Sequence, residues 1–267
     1  MKIIDVSTTQ LSYPHVDPVQ HGTSKSVREH SDQLFVHIKT DNGLEGLGTS
    51  EGPPGTREVV EKGLRDILFD RDPFDIEQLW AEMFWRIHSY GRTGIALRAL
   101  SAVDIGLWDL KAKALGQPLY KLLGSFTESV PVYGSGGWTN LSVEELVSSM
   151  TDMVDGGIVR VKMKVGKDFG NSEREDIERV AAVRCALGDD VALYVDANSA
   201  YHAKQAIYLA EEYAIYQVGW FEEPVLADDI AGLAQIRASI NIPVASGEHE
   251  YTKYGFRELI SKNAVDI

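Results

Sequence analysis

The chain has 267 residues, 44% hydrophobic and 25% charged, which suits one large globular domain or two unequal ones with a sizeable core. A formal charge of −14 argues against a general affinity for nucleic acid or an anionic membrane surface, because either would need a basic face. The single cysteine, Cys185, excludes an intrachain disulfide framework and, lying in a helical stretch, is expected in the core rather than as a nucleophile.

The start, Met1-Lys2-Ile3-Ile4-Asp5, lacks the apolar stretch of a signal peptide, and no run of about 18 apolar residues occurs, so a cytoplasmic protein is expected. Residues 2 to 12 and 33 to 40 read as strands. Asp41-Asn42-Gly43, before Leu44-Glu45-Gly46-Leu47-Gly48, is a strong hairpin signal, so the first half opens as an antiparallel meander. Gly43, Gly46 and Gly48 follow a hairpin and open no helix, which rules against a dinucleotide loop. Residues 13 to 30, with Pro14, His15, Pro18, His21, Lys25, Arg28 and His30, are polar and irregular, either a solvated loop or a flap over a site.

From Thr56 to Leu123 the pattern is helical, with one stripe around Val60, Leu64 and Leu68 and another around Ile76, Leu79 and Met83, parted by Pro73. A longer helix from Ile95 to Leu115 stops at Gly116-Gln117-Pro118. Its Asp104 and Asp109, five apart, do not share a face well enough to form a metal pair.

After residue 126 the period changes. Short apolar strands (Val130–Tyr133, Val159–Val165, Val191–Val195, Val218–Phe221, Val244–Ala245, then Val265–Ile267) alternate with amphipathic helices, the signature of a parallel sheet. Asp196, Glu222 and Glu248 each close an apolar run and stand 26 residues apart, about one α/β unit. Neighbouring parallel strands lie roughly 4.8 Å apart, so three acids at the same strand ends would converge and call for a cation. Oxygen donors without Cys or His favour Mg²⁺ over zinc. Acids on three consecutive strands fit a barrel, with its catalytic rim at the strands' C-terminal ends, better than a doubly wound sheet. Lys162 and Lys164 share one face of the strand Arg160-Val161-Lys162-Met163-Lys164-Val165. Either they neutralise the acids of neighbouring strands, or crowding by cations lowers a lysine's proton affinity until it serves as a base. Glu223 is expected to face away from Glu222 and is left out of the site.

These elements together resemble the enolase superfamily, within the mandelate racemase and muconate lactonising enzyme family. The resemblance spans nearly the whole chain: the meander, the helix from Ala102 to Lys113 running into Pro118–Gly124, the paired lysines, Asp196-Ala197-Asn198, Glu222-Glu223-Pro224 and Gly247-Glu248-His249. It implies an N-terminal α+β capping domain (1–125) and a TIM-type (β/α) barrel domain (126–267) of the modified (β/α)7β kind, here reaching strand five or six. A parent chain of roughly 350 residues or more is expected on the barrel's spacing. For the site it implies Mg²⁺ on Asp196, Glu222 and Glu248, Lys164 moving the proton α to a carboxylate, and Lys162 binding that carboxylate and stabilising the enolate. A Lys base working with Mg²⁺ is the known pattern of this superfamily, not a deduction from these residues. Asn198 either contacts a substrate hydroxyl or braces a ligand; His249 either lines the pocket or packs.

Glu248 within Gly-Glu-His resembles the mandelate racemase branch, rich in sugar-acid dehydratases, whereas muconate cycloisomerases usually carry Asp there. That branch adds a His–Asp dyad from the sixth and seventh strands; Asp266 lies close to the Asp position without being assigned to it. The resemblance thus implies a Mg²⁺-dependent lyase that dehydrates an aldonic or aldaric sugar acid, with a homo-oligomer expected. The alternatives are a racemase, epimerase or cycloisomerase on the same site, or an inactive metal-binding fragment.

Overall fold

A computed structural model of the chain describes residues 1–15 and 21–267; Pro18 of the polar segment lies outside them. The described residues form two compact units, Met1–Pro14 with His30–Val130, and His15–Glu29 with Pro131–Ile267. In chain order the strands are β1 (Ile3–Pro14), β2 (His21–Gly22), β3 (Val27–Arg28), β4 (His30–Thr40), β5 (Glu45–Glu51), β6 (Gly134–Ser135), β7 (Arg160–Lys164), β8 (Ala192–Asp196), β9 (Val218–Glu222) and β10 (Val244–Ala245).

The first unit is an antiparallel sheet in the order β1-β4-β5. Gly43, at φ 84°, makes the turn the Asp-Asn-Gly signal predicts, and Thr40 N–H donates to Leu44 O at 3.0 Å. Alternation along β4 buries Leu34, Val36 and Ile38 completely. The helix Ile95–Ala114 packs against β4 and β5 and buries Leu100, Val103, Leu107 and Leu110. A Cβ at Gly48 would overlap the Ala102 carbonyl and one at Gly46 the Gly106 carbonyl, so these glycines let helix and sheet approach closely. Asp109 is committed to Leu47 N–H at 2.8 Å and Lys113 Nζ at 2.6 Å.

The second unit holds a five-stranded parallel sheet in the order β6-β7-β8-β9-β10, every strand beside its sequence neighbours. A doubly wound sheet reverses at a switch point; this sequential order is that of a (β/α) barrel. On one face, Val161, Met163, Leu193, Val195, Phe221 and Val244 are fully buried in a core with Leu146, Val180, Leu209 and Leu233 of the intervening helices. On the other face Tyr194 and Trp220 stack at 3.5 Å, with Tyr133 edge-on to both.

Several expectations change. Val130–Tyr133 is not a strand: Val130 and Val132 are 71% and 62% exposed, and Pro131 has no N–H for a ladder, so pairing with β7 begins at Gly134. Cys185 is exposed, because Val180, Val183 and Arg184 form the buried stripe of the helix Glu173–Leu187. Val265–Ile267 runs beside β10, with Asp266 and Ile267 N–H both donating to Val244 O. In the polar segment, Pro14 and His30 belong to β1 and β4, while β2 and β3 form a short ribbon. Among the described residues no helix is long and apolar enough to cross a membrane.

Burial, with Glu77 adding to it, pushes the Asp104 carboxyl up to about 6. A raised pKa means that the folded chain holds this proton more tightly than the unfolded one, so this group favours folding most below about pH 4 and least above about pH 7. Asp104→Asn should therefore raise stability at about pH 8 by on the order of 1 kcal/mol, allowing for partial exposure, and flatten the pH dependence between about 4 and 7. Urea unfolding across that range measures both; an equal or lower stability at pH 8 would contradict the assignment.

Candidate functional site

Parallel register places Lys164 beside Asp196, Asp196 beside Glu222 and Glu222 beside Ala245, a single row across β7, β8, β9 and β10 at their C-terminal ends. Lys162 stands two residues earlier on the same face as Lys164. Its Nζ donates to Glu222 Oε2 at 2.6 Å and lies 3.3 Å from Asp196 Oδ2; Lys164 Nζ donates to Asp196 Oδ2. All four are largely buried. Burial works against the charge of Lys162, but Asp196 and Glu222 outweigh it and raise its proton affinity. Burial, reinforced by Asp196, raises Glu222, against the pull of both lysines.

Glu248 sits differently. It lies three residues past β10, its side chain is 52% exposed, and its Oε1 is 3.9 Å from His249 Nε2. It lines a cavity of about 370 Å³ together with Glu222, Glu223, Tyr133 and Trp220. Glu223 does not face away as strand alternation predicts. At φ 42° it has left the strand conformation, and both glutamates reach the cavity. Burial above all, then Glu248 and Asp196, push the Glu223 carboxyl up to about 8, with the Asn198 side chain acting in the opposite sense.

The donors that could hold a metal are therefore four carboxylates, Asp196, Glu222, Glu223 and Glu248, against two ammonium groups. The hard oxygen donors suit Mg²⁺. The buried, hydrogen-bond-free oxygens of Glu223 and of Asn198 fit a site that takes up a further partner.

The loops after the strands are braced by one helix. On Glu173–Leu187, buried Asp176 accepts from Gly166 N–H at 2.9 Å and Tyr201 O–H at 2.8 Å, while Arg179 donates to Leu141 and Trp138 carbonyls. Burial pushes Asp176 up to about 6 despite these bonds. Asn198, at φ 43°, donates its N–H to Asp196 Oδ1 at 2.9 Å and so orients that carboxylate. The ribbon of β2 and β3 docks on the same loops. Gly22 N–H donates to Asn140, Ser24 Oγ to Asn198 O and Phe169 N–H to Ser24 O. His21 stacks on Trp138 at 4.1 Å, and Lys164 Nζ lies 5.8 Å from the same indole. Burial, then His15 and Arg28, hold His21 below its ordinary pKa. Asp266, near which the dyad acid was expected, is engaged by Arg237 at 2.8 Å and Val244 N–H at 3.0 Å.

Residues 3–124 match the family described as mandelate racemase / muconate lactonizing enzyme, N-terminal domain, and residues 145–267 match enolase C-terminal domain-like. A 3,6-anhydro-alpha-L-galactonate cycloisomerase of Streptomyces coelicolor is 37% identical over 238 residues, 88% of this chain and 65% of the relative. An L-talarate/galactarate dehydratase of Salmonella typhimurium is 36% identical over 88% of this chain and 59% of its own length. The chain thus spans somewhat less than two thirds of these relatives. A racemase from Streptomyces coelicolor solved with bound magnesium superposes with a TM-score of 0.94 at 35% identity, covering 98% of this chain and 74% of the other.

Removing one partner of a buried ion pair strands the other charge, at a cost of about 3–5 kcal/mol. Lys162→Met should accordingly lose about 3 kcal/mol in urea unfolding without added metal, and a Lys162→Met/Glu222→Gln double variant should recover part of that loss. A single variant as stable as the parent would mean that the pairs carry no net energy.

Proposed function

Since this chain belongs to the mandelate racemase and muconate lactonizing enzyme family, with an α+β unit and a TIM-type (β/α) barrel of the enolase superfamily, we propose that it is a Mg²⁺-dependent sugar-acid dehydratase. The protein would remove the proton α to the carboxylate of an aldonic or aldaric acid and expel the β-hydroxyl as water, leaving a 2-keto-3-deoxy acid. The observation that carries this reading is the row of Lys164, Asp196 and Glu222 at adjacent strand ends, with Lys162 bonded into it.

An α-proton of a carboxylate is very weakly acidic, and its removal builds a second negative charge on the two carboxylate oxygens. Asp196, Glu222 and Glu248 would hold Mg²⁺, which would supply positive charge to stabilise those oxygens. Lys162, deeper in the row and bonded to Glu222, is suited as an ammonium to bind the carboxylate rather than to act as base. Lys164, two residues further toward the rim, would act as the neutral amine once Asp196 is turned to another partner: its Nζ takes the α-proton and the Cα–H electron pair forms the enolate. As the enolate collapses and the β-carbon to oxygen bond breaks, the new ammonium returns that proton to the departing hydroxyl, releasing water and an enol that becomes the keto acid. Asn198 keeps Asp196 oriented through its N–H, which makes a bracing role as well supported as contact with a substrate hydroxyl. The name of the Streptomyces cycloisomerase favours a second reading, proton transfer at the same carbon with no loss of water.

Purified protein with Mg²⁺ should form a keto acid from at least one member of a panel of aldonic and aldaric acids, with loss of one water by mass spectrometry. Lys164→Ala should lower kcat by about 10²–10⁴-fold while the circular dichroism spectrum is kept. A product of unchanged mass would select the cycloisomerase reading, and solvent deuterium at the α-carbon of unchanged substrate would select racemisation. No turnover of any acid would sink the dehydratase.

A further inference from the structure

Glu223 is the one carboxylate of the cavity that the mechanism above leaves without a task. Its side chain is 1% exposed, and although the Asn198 side chain lies close enough to favour the ionised form, neither oxygen has a well-formed hydrogen bond to a described donor. The His249 Nε2 lies 3.5 Å from Oε1, and ligand atoms of Glu223, Glu248 and His249 all fall within 4.8 Å of one another. A carboxylate buried in this way is costly unless a cationic partner joins it.

The lysines do not fill that role. Lys162 and Lys164 are spent on Asp196 and Glu222, and among the described residues no lysine or arginine nitrogen lies within 4.0 Å of the Glu223 or Glu248 carboxylates. Both acids line the cavity that Glu222 also enters, so an ion shared by Glu222 and Glu248 would have the Glu223 carboxylate in the same cavity wall. We infer that Glu223 is a fourth carboxylate of the divalent-cation site and helps to set its affinity, directly or through a bound water, with His249 beside it at the cavity rim. The inference rests on the Mg²⁺ reading proposed above.

The test is a thermal-shift titration with MgCl₂ alone, without substrate, on the parent protein and two variants. Mg²⁺ should raise the parent's Tm. Glu223→Gln keeps the shape and drops the charge, and should need about ten- to a hundredfold more Mg²⁺ for the same shift. Glu223→Asp keeps the charge but shortens the side chain, and should be impaired less than Glu223→Gln. Titrations of Glu223→Gln that overlay the parent's would overturn the inference and leave the Mg²⁺ site standing, as would a Tm loss without metal in both variants at an unchanged Mg²⁺ requirement. A parent protein that shows no Mg²⁺ shift would overturn the metal reading itself and the inference with it. If Glu223→Gln does not fold, Glu223→Asp decides: a Mg²⁺ requirement raised severalfold supports the inference, and an unchanged one overturns it.

Discussion

Charge balance inside a poorly solvated strand-end cluster is the constraint on which the rest of this site depends. Two lysines and two acids, all largely buried, are tolerable only because each ammonium has a carboxylate within ion-pair reach. The arrangement is neutral but poised. Two further acids, Glu223 and Glu248, stand at the cavity without a lysine or arginine partner among the described residues. The same crowding that makes the cluster costly to build would, in the proposed reaction, hold fixed charges near the developing enolate.

The fold delivers this cluster through parallel register. Because β7, β8 and β9 pair in sequence order with Lys164, Asp196 and Glu222 abreast, one short strand end per unit suffices to bring each group to the row. Beyond the row the backbone leaves the extended conformation. Asn198, Ser199 and Glu223 all take positive φ, so the chain turns sharply over the site instead of running past it. One helix, through Asp176 and Arg179, ties down the loops after β6, β7 and β8, and the β2–β3 ribbon adds contacts to all three. The groups are thus held by strands and braced loops, which favours preorganised chemistry.

Much of this was legible in the sequence because it follows from simple periods. Alternation placed Lys162 and Lys164 on one face, and the Asp-Asn-Gly hairpin and the stop at Gly116-Gln117-Pro118 fell where turn chemistry requires. The errors arose where a local rule met a tertiary one. Val130–Tyr133 had strand composition but contains Pro131, and the ladder starts after it. Glu223 was set aside by the two-residue period, which holds only while the backbone remains a strand; at φ 42° it no longer applies. Equal 26-residue spacing suggested that Glu248 closes its strand as Asp196 and Glu222 do, yet β10 ends at Ala245 and Glu248 sits on the following loop. The polar segment gave no pattern from which docking on distant loops could be read, because Gly22 and Ser24 make their docking hydrogen bonds to Asn140 and Asn198, more than 100 positions away.

On binding, the lysine-bonded acids would exchange their partners for a divalent cation. A crystal structure of the protein with Mn²⁺, located by anomalous scattering, tests it most directly. One ordered ion is expected about 2.0–2.2 Å from oxygens of Asp196, Glu222 and Glu248, with both lysine Nζ atoms withdrawn from the coordinating oxygens. Manganese elsewhere, or no ordered ion while Lys162 and Lys164 remain bonded to Asp196 and Glu222, would contradict it.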